Sequence, residues 1–553
     1  MEMQLSTSQS RILMYLCLLL LLGTSACTGR DIQSNSIIQL TPSPTATIFT
    51  PPKISPTLSA PLHNQQDSTE KTAPSPSPTP DQIRQAPELR KLNETHVVNE
   101  RDDLLKIARQ YEVGVQQILT ANGRDYSDPL TIGQVLIIPP PIPESPGPYF
   151  KIVPDSELVY GPSAVSLPSI ETILPEESPL VTYAEEIDGS ILDGSTILQR
   201  AAEKYSINPR ILLSVVHYLC NWSEDSEGCF TADNFSLGWE YEPEMEGLYK
   251  QLSWLADQLN FGFYRWRSGW NGPFIFPDGS VAIPSPGINA GTAAVQYLFS
   301  RLYLVEDWRE VVSKEGFYQT HYSLFGDPFE LAIEPLLPQD LTQPVFNLPF
   351  ESGVPWSFTG GPHSAIGNWA IWGALDFAPS MSASGCEPSD DWVVAIADGI
   401  ITRSYWGQVM LDLDGDGFEQ TGWAVLYLHV ATKDRVQAGT YLHKGDRIGH
   451  PSCEGGFSTG THIHLARKYN GVWIAADGQV PFNLAGWVST SEGAPYDGSM
   501  NRGGTELRAC AWWRSCEIST NWELYDSQAV KSQKELISPT PTQIYTENAY
   551  IQE

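Results

Sequence analysis

Gly460-Thr461-His462-Ile463-His464-Leu465 closes a segment that opens on Gly361-Pro362-His363 and passes through Leu375-Asp376-Phe377. In a β-strand, residues i and i+2 point to one face, so His462 and His464 can enter a single site. On a helix the same spacing would splay them apart. Thr461, Ile463 and Leu465 suit a strand. A second apolar, β-prone run, Trp423-Ala-Val-Leu-Tyr-Leu-His429, reads as a strand ending at the same place. Of the chain's ten histidines, His363, His429, His443, His450, His462 and His464 fall between Gly361 and Leu465. Histidines clustered with an aspartate are what metal-assisted hydrolysis needs.

Around these residues short apolar runs alternate with Gly- and Asp-rich turns. Examples are Trp392-Val-Val-Ala-Ile396, Gly399-Ile-Ile-Thr402 and Val409-Met-Leu-Asp-Leu413. The pattern predicts antiparallel β-structure from Leu341 onward. Between two of the runs lies Asp412-Leu-Asp414-Gly-Asp416-Gly417. That spacing matches the first half of a calcium loop, but the twelfth position is Trp423 rather than the bidentate Glu. Calcium held by Asp412, Asp414 and Asp416 therefore stands as the alternative to an acidic hairpin turn.

A catalytic zinc usually has three protein ligands and one water. His363, Asp376 and His464 can supply the three, leaving His462 free beside the metal. An HxH pair alone is weak evidence, since short spacings recur by chance. The full set runs Gly-Gly-Pro-His363, Leu-Asp376-Phe, Tyr-Leu-His429 and Gly-Thr-His462-Ile-His464. It resembles the lysostaphin-type zinc endopeptidases, most closely the β-lytic branch with its long His-to-Asp spacing. Other branches would place a His at 372, where this chain has Trp372. The resemblance covers Leu341 to Trp487. It implies one zinc on His363, Asp376 and His464. It also implies two catalytic histidines, His429 and His462, that handle water and oxyanion in cleaving peptidoglycan stem peptides or cross-bridges.

The chain has 553 residues and a net charge of −32, from 33 basic and 65 acidic side chains. Such acidity disfavours nucleic acid as a partner. Length predicts several domains. Arg11 precedes an apolar run, Ile12 to Leu22, that is shorter than the roughly 20 residues of a membrane span. It reads as a signal peptide over 1–26. Cys27 after Gly-Thr-Ser-Ala resembles a bacterial lipobox, with Thr24 where Leu is usual. The expectation is an exported protein of the cell envelope or exterior, lipid-anchored to the membrane at Cys27. Export permits disulfides. Proximity pairs Cys220 with Cys229 and Cys510 with Cys516, which leaves Cys386 for Cys453.

Residues 27–90 form a Pro/Ser/Thr-rich tether that cannot bury a core. Residues 91–140 carry a strand at Val97-Val98, two helical faces, and a returning strand at Val135-Leu-Ile-Ile138. Asp103 is placed to cap the first helix. Ile107-Ala108, Asn122 and Gly133-Gln-Val-Leu-Ile-Ile-Pro139 resemble a LysM domain, a module that binds N-acetylglucosamine polymers. Arg101 stands where Gly is usual. Residues 141–190 read as a Pro-rich linker and 191–340 as a helical accessory domain. There, Tyr205-Ser-Ile-Asn-Pro-Arg-Ile-Leu-Leu213 faintly resembles lysozyme-like transglycosylases. Their late acidic residue is replaced by His217, Tyr218, Leu219 and Cys220, so no glycosidase activity is expected. Residues 341–520 make up the endopeptidase domain and 521–553 a disordered tail.

The expected fold is thus multidomain: a small α+β LysM-like module, an α-helical middle domain and an all-β antiparallel peptidase domain. The leading functional reading is a zinc metalloendopeptidase held on peptidoglycan by the LysM-like module. The rivals are a non-catalytic wall-binding or regulatory protein with a peptidase-like domain, and a protease of glycine-rich extracellular proteins. Degenerate copies commonly lose ligands, and none is missing here.

Overall fold

The computed structural model describes residues 90–510 apart from 101, 142–146, 166–169, 177, 221–245, 271, 369, 380–384 and 388. All of these belong to the unit that runs from residue 74 onward. The stretches read as signal peptide, tether and tail, together with Cys27, Arg101, Cys229 and Cys516, lie outside the described residues, the tether apart from its residue 90. No described helix is long and apolar enough to cross a membrane.

The first module is strand β1 (Glu94–Val97), helices α1 (Leu104–Tyr111) and α2 (Val115–Ala121), and strand β2 (Val135–Ile138). The two strands pair antiparallel, Val97 opposite Val135. Asp103 accepts the Lys106 N–H at 2.7 Å and so satisfies one orphan donor at the start of α1. Asn122 fixes α2 against the sheet. Its amide donates to the Ile118 and Ile137 carbonyls, and its oxygen accepts the Ile137 N–H. Leu104, Ile107, Ile118, Leu119, Leu136 and Ile138 close a small core of their own.

The middle region is built on α3 (Gly194–Tyr205), α4 (Pro209–Cys220), α5 (Leu248–Arg267) and α6 (Ala290–Ser300). α6 is buried all round, and α5 nearly so. They approach closely at Gly262, where a Cβ would lie 2.7 Å from the Ala294 Cα. Residues 147–188, read from the sequence as linker, differ from that expectation. Ile152, Val153, Leu158, Val159, Ile170, Leu174 and Leu180 are buried in the helical core. Proline-rich composition hid them, because the buried residues occupy very short helices and extended chain with no sustained period.

The C-terminal part is an antiparallel sheet of β3 (Trp356–Ser364), β4 (Trp372–Pro379), β5 (Gly399–Tyr405), β6 (Gln408–Asp412), β7 (Trp423–Leu428), β8 (Tyr441–Leu442), β9 (Ile463–Tyr469) and β10 (Val472–Trp473). The spatial order is β8-β5-β6-β7-β9-β4-β3, with β10 paired to β9. Alternation splits the side chains between two cores. Val425, Tyr427, Ile463 and Leu465 enter the β-domain core. Ala424, Leu426, Leu428, Ala466 and Trp473 share a core with the helices. The helical layer therefore packs directly on the sheet face that also carries Asp376 and His464.

A buried ionic cluster stands at this seam. Glu419 accepts Arg403 Nε at 2.8 Å and lies 3.1 Å from Lys468 Nζ, and all three are buried. Arg403 also donates to the Glu203 carbonyl of α3, and the Tyr405 hydroxyl donates to the Glu203 carboxylate. One anion between two cations, with α3 supplying further acceptors, meets the requirement that buried charge be paired.

Candidate metal centre and active site

The sheet register assembles the site. On β9, His464 stands directly opposite Asp376 of β4, and on its other side opposite Leu428 of β7. His363 comes from β3, whose pairing with β4 is interrupted by bulges on either side of Gly360 and His363. Bulges re-aim side chains, and here His363 turns toward the other two. A Cβ at Gly360 would sit 2.7 Å from Asp376 Oδ2, so only glycine leaves room for the carboxylate. His429 follows the last residue of β7 with φ +72°, a left-handed conformation rare for a residue with a side chain.

The Nδ1 or Nε2 atoms of His363 and His464 and an Asp376 oxygen lie within 4.8 Å of one another. His363 Nε2 is 3.0 Å from His464 Nδ1. Each of these nitrogens is 3.3 Å from Asp376 Oδ1. The opposite ring atoms settle the tautomers. His363 Nδ1 donates to the Gly361 carbonyl at 2.8 Å, and His464 Nε2 donates to the Ala365 carbonyl at 3.1 Å. In the neutral rings the facing nitrogens are then both lone pairs. Asp376 Oδ1 is buried and has no hydrogen-bond partner.

Three acceptors thus converge with no proton among them, an arrangement that a cation relieves. Ligands about 2.0–2.1 Å from a tetrahedral zinc are about 3.3 Å apart, and the two-imidazole, one-carboxylate donor set suits that ion. The residues fit the metal. Burial lowers the His464 imidazole pKa, which favours the neutral ligand form. Burial raises the Asp376 carboxyl, but when the rings of His363 and His462 carry protons their charge outweighs burial and holds it well below the ordinary carboxylate range.

His429 and His462 flank this centre, their ring centroids 4.5 Å apart. Nδ1 of His429 donates to the Glu454 carbonyl and Nδ1 of His462 to the Gly460 carbonyl, at 2.8 and 2.7 Å. Both Nε2 atoms are therefore lone pairs in the neutral rings. Nε2 of His462 lies 3.7 Å from Asp376 Oδ2. Burial, with His462 and His464 nearby, pushes His429 down to about 3. The shift favours its neutral form.

Tyr496 was not singled out as a site residue by the sequence reading. Its ring stacks on His363 with centroids 4.1 Å apart and planes 18° off parallel. Backbone bonds to Gly361 and Pro362 hold it there at φ +65°. No sequence signal marked this contact, which spans more than 130 positions. Cys386 and Cys453 form a disulfide. The pairings Cys220–Cys229 and Cys510–Cys516 each involve a residue outside the described ones. Asp412, Asp414 and Asp416 also come together, but on a loop at the far end of β6.

Comparison with known proteins agrees with this picture. A model of the LasA N-terminal domain matches residues 151–339, and a LysM domain model matches residues 96–139. Protease LasA of Pseudomonas aeruginosa is 26% identical over 317 residues, spanning 52% of this chain and 69% of that protein. The beta-lytic metalloendopeptidase of Achromobacter lyticus is 27% identical over 169 residues, 29% of this chain and 41% of that one. The chain is similar to the lysostaphin-type metalloendopeptidases. Among solved structures, the M23 metalloprotease pseudoalterin aligns with 31% of this chain and 96% of its own, at 25% identity and a TM-score of 0.24. The LasA N-terminal match begins within the stretch read as linker, in keeping with the buried residues found there.

Proposed function

We propose that the chain is a zinc metalloendopeptidase that hydrolyses peptide bonds of peptidoglycan, in stem peptides or cross-bridges. The observation that carries the reading is the convergence of two imidazole lone pairs and an unpartnered buried carboxylate oxygen. His363, Asp376 and His464 would hold the ion. When bound, zinc supplies a Lewis acid for the scissile carbonyl and lowers the pKa of water from about 15.7 to about 7. The chain's own residues do the rest. His462, anchored through Nδ1 on Gly460, offers Nε2 as the proton acceptor for the attacking water and then returns the proton to the leaving amine. His429, anchored on Glu454, turns its Nε2 lone pair to the same side, where it accepts a hydrogen bond from the water and orients it. Tyr496 keeps the His363 ring in plane.

The LysM domain supports a wall substrate, with glycan strands as its ligand. Cys27 supports export and a lipid anchor in the membrane. The Asp412 loop is read first as an acidic hairpin turn and second as a calcium site. The deciding experiment is mass analysis of fragments released from purified peptidoglycan. New amino termini within the peptides are expected. Intact peptides with cleaved glycan, or no release at all, would overturn the proposal.

A further inference from the structure

His429 can orient water only if its ring is held in one direction and one tautomer. Nδ1 must carry the proton so that Nε2 is left as the lone pair, and the bond that Nδ1 makes decides this. That bond goes to the Glu454 carbonyl, at 2.8 Å. The backbone beneath the ring is itself strained. At φ +72° His429 keeps a conformation that persists only where the surroundings fix it. Its carbonyl accepts the Ser452 N–H at 2.7 Å and the Ser452 hydroxyl at 3.0 Å. The next residue, Val430, donates its N–H to the Gly407 carbonyl.

Glu454 reaches the same segment a second time, through its side chain. The carboxylate accepts the Thr432 N–H at 2.8 Å and the Thr432 hydroxyl at 2.6 Å, three residues beyond His429. Arg435, 3.6 Å from that carboxylate, donates to the Val430 carbonyl at 3.0 Å. These bonds close a ring. It runs from His429 along the chain to Thr432, across to the Glu454 carboxylate, and back through the Glu454 carbonyl to Nδ1. The Glu454 side chain is 41% exposed. Ion pairs at such exposure add little to stability, so the fold has small need of a carboxylate here. What the carboxylate does set is the place of the Glu454 carbonyl relative to the segment that bears the imidazole.

We propose that Glu454 is a positioning residue for the hydrolysis: its carboxylate, clamped on Thr432, holds its own carbonyl where it fixes the direction and tautomer of the His429 ring. This rests on the endopeptidase reading above. None of the bonds in the clamp involves His363, Asp376 or His464, so loosening it leaves the metal centre intact and acts on turnover.

The test uses the full chain with Glu454→Ala and Glu454→Gln, assayed on purified peptidoglycan. Zinc content, melting temperature and NMR of nitrogen-labelled histidine rings are measured beside it, the His429 signals being assigned by their loss in His429→Ala. Glu454→Ala should lower kcat about tenfold, part of the roughly hundredfold that a misplacement of about 1 Å can cost. KM, zinc and melting temperature should not change, and the His429 ring should pass from the Nδ1–H tautomer to a mixture. Glu454→Gln keeps an acceptor for Thr432 and should recover most of the rate. In a His429→Ala background, Glu454→Ala should lower kcat no further, because a residue that acts through another loses its effect with it. Wild-type kcat in Glu454→Ala would overturn the inference, as would an unaltered His429 tautomer or a second full loss in the His429→Ala background. If wild type cuts nothing, the endopeptidase reading fails separately. The His429 tautomer in wild type and in Glu454→Ala still decides the clamp.

Discussion

Two clusters in this chain bring three candidate ligand groups within 4.8 Å of one another, and they are built in opposite ways. His363, Asp376 and His464 come from three adjacent strands, are all buried, and turn acceptors toward one another. Their donors are used up on backbone carbonyls behind the rings. Asp412, Asp414 and Asp416 come from one loop, and the last two are exposed. Here the loop itself supplies the donors. The Asp412 carboxylate accepts from the Gly417 and Asp414 N–H groups, Asp414 from Asp416, and Asp416 from Phe418 and the Thr421 hydroxyl. A buried acceptor without a donor costs free energy until something positive arrives. An acceptor answered by its own loop carries no such debt. The distinction lies in the hydrogen bonds rather than in residue type or proximity.

The largest effect should follow from opening the first cluster. His464→Ala removes one of two imidazoles, so zinc and activity should both vanish. Metal content by mass spectrometry, set beside peptide release, checks it; undiminished zinc would strike His464 from the ligand set. His462→Ala should behave differently, because His462 faces the cluster without completing it. Zinc should remain while turnover falls by roughly 10²–10⁴-fold, the usual worth of a general base. Loss of zinc as complete as in His464→Ala would reverse the assigned roles.

The Glu419 cluster sharpens the contrast from a third direction, since its carboxylate is compensated by Arg403 and Lys468 rather than by an ion or a loop. Glu419→Gln leaves two buried cations with one neutral acceptor. A stability loss of about 3–5 kcal/mol is expected, read by urea unfolding, with zinc content unaffected. A loss below about 1 kcal/mol would mean that the seam between helices and sheet admits water.

Much of this was legible in the sequence. The spacing of His462 and His464 and the alternation along Trp423–Leu428 follow from a period of two; the structure has strands over Trp423–Leu428 and Ile463–Tyr469, with His462 in an isolated bridge to Ser452 just before the second. The LysM-like module was legible because Asp103 and Asn122 make local bonds. What escaped the sequence was long-range or conformational. Tyr496 reaches His363 through a chain reversal that no local pattern encodes. The left-handed backbone of His429 and the carbonyls that fix each ring leave no mark on residue identity. Ile152, Val153 and Leu158 were hidden among prolines, where burial comes without period.

The smallest effect concerns the acidic loop, and it separates its two readings. Burial, with Asp414 and Asp416 nearby, pushes the Asp412 carboxyl up to about 7, although the Gly417 N–H works against the shift. A carboxyl whose pKa is higher folded than unfolded holds its proton more tightly in the folded state. Its contribution to stability is complete below about pH 4 and is lost as pH rises through about 7. The melting temperature of wild type should therefore fall slightly across that window, by a few degrees at most for a chain of this size. Asp412→Asn, which cannot ionise, should remove that part of the slope. Calcium decides between the readings at pH 8, above the value to which the Asp412 carboxyl is pushed. A hairpin turn already satisfied by its own N–H groups should shift by less than about 1 °C on adding millimolar calcium in place of chelator. A calcium loop should gain stability by mass action, and the gain should disappear in Asp412→Asn. Scanning calorimetry of the two proteins with and without calcium makes the comparison, and a calcium-dependent rise in wild type alone would move this cluster into the same class as the first.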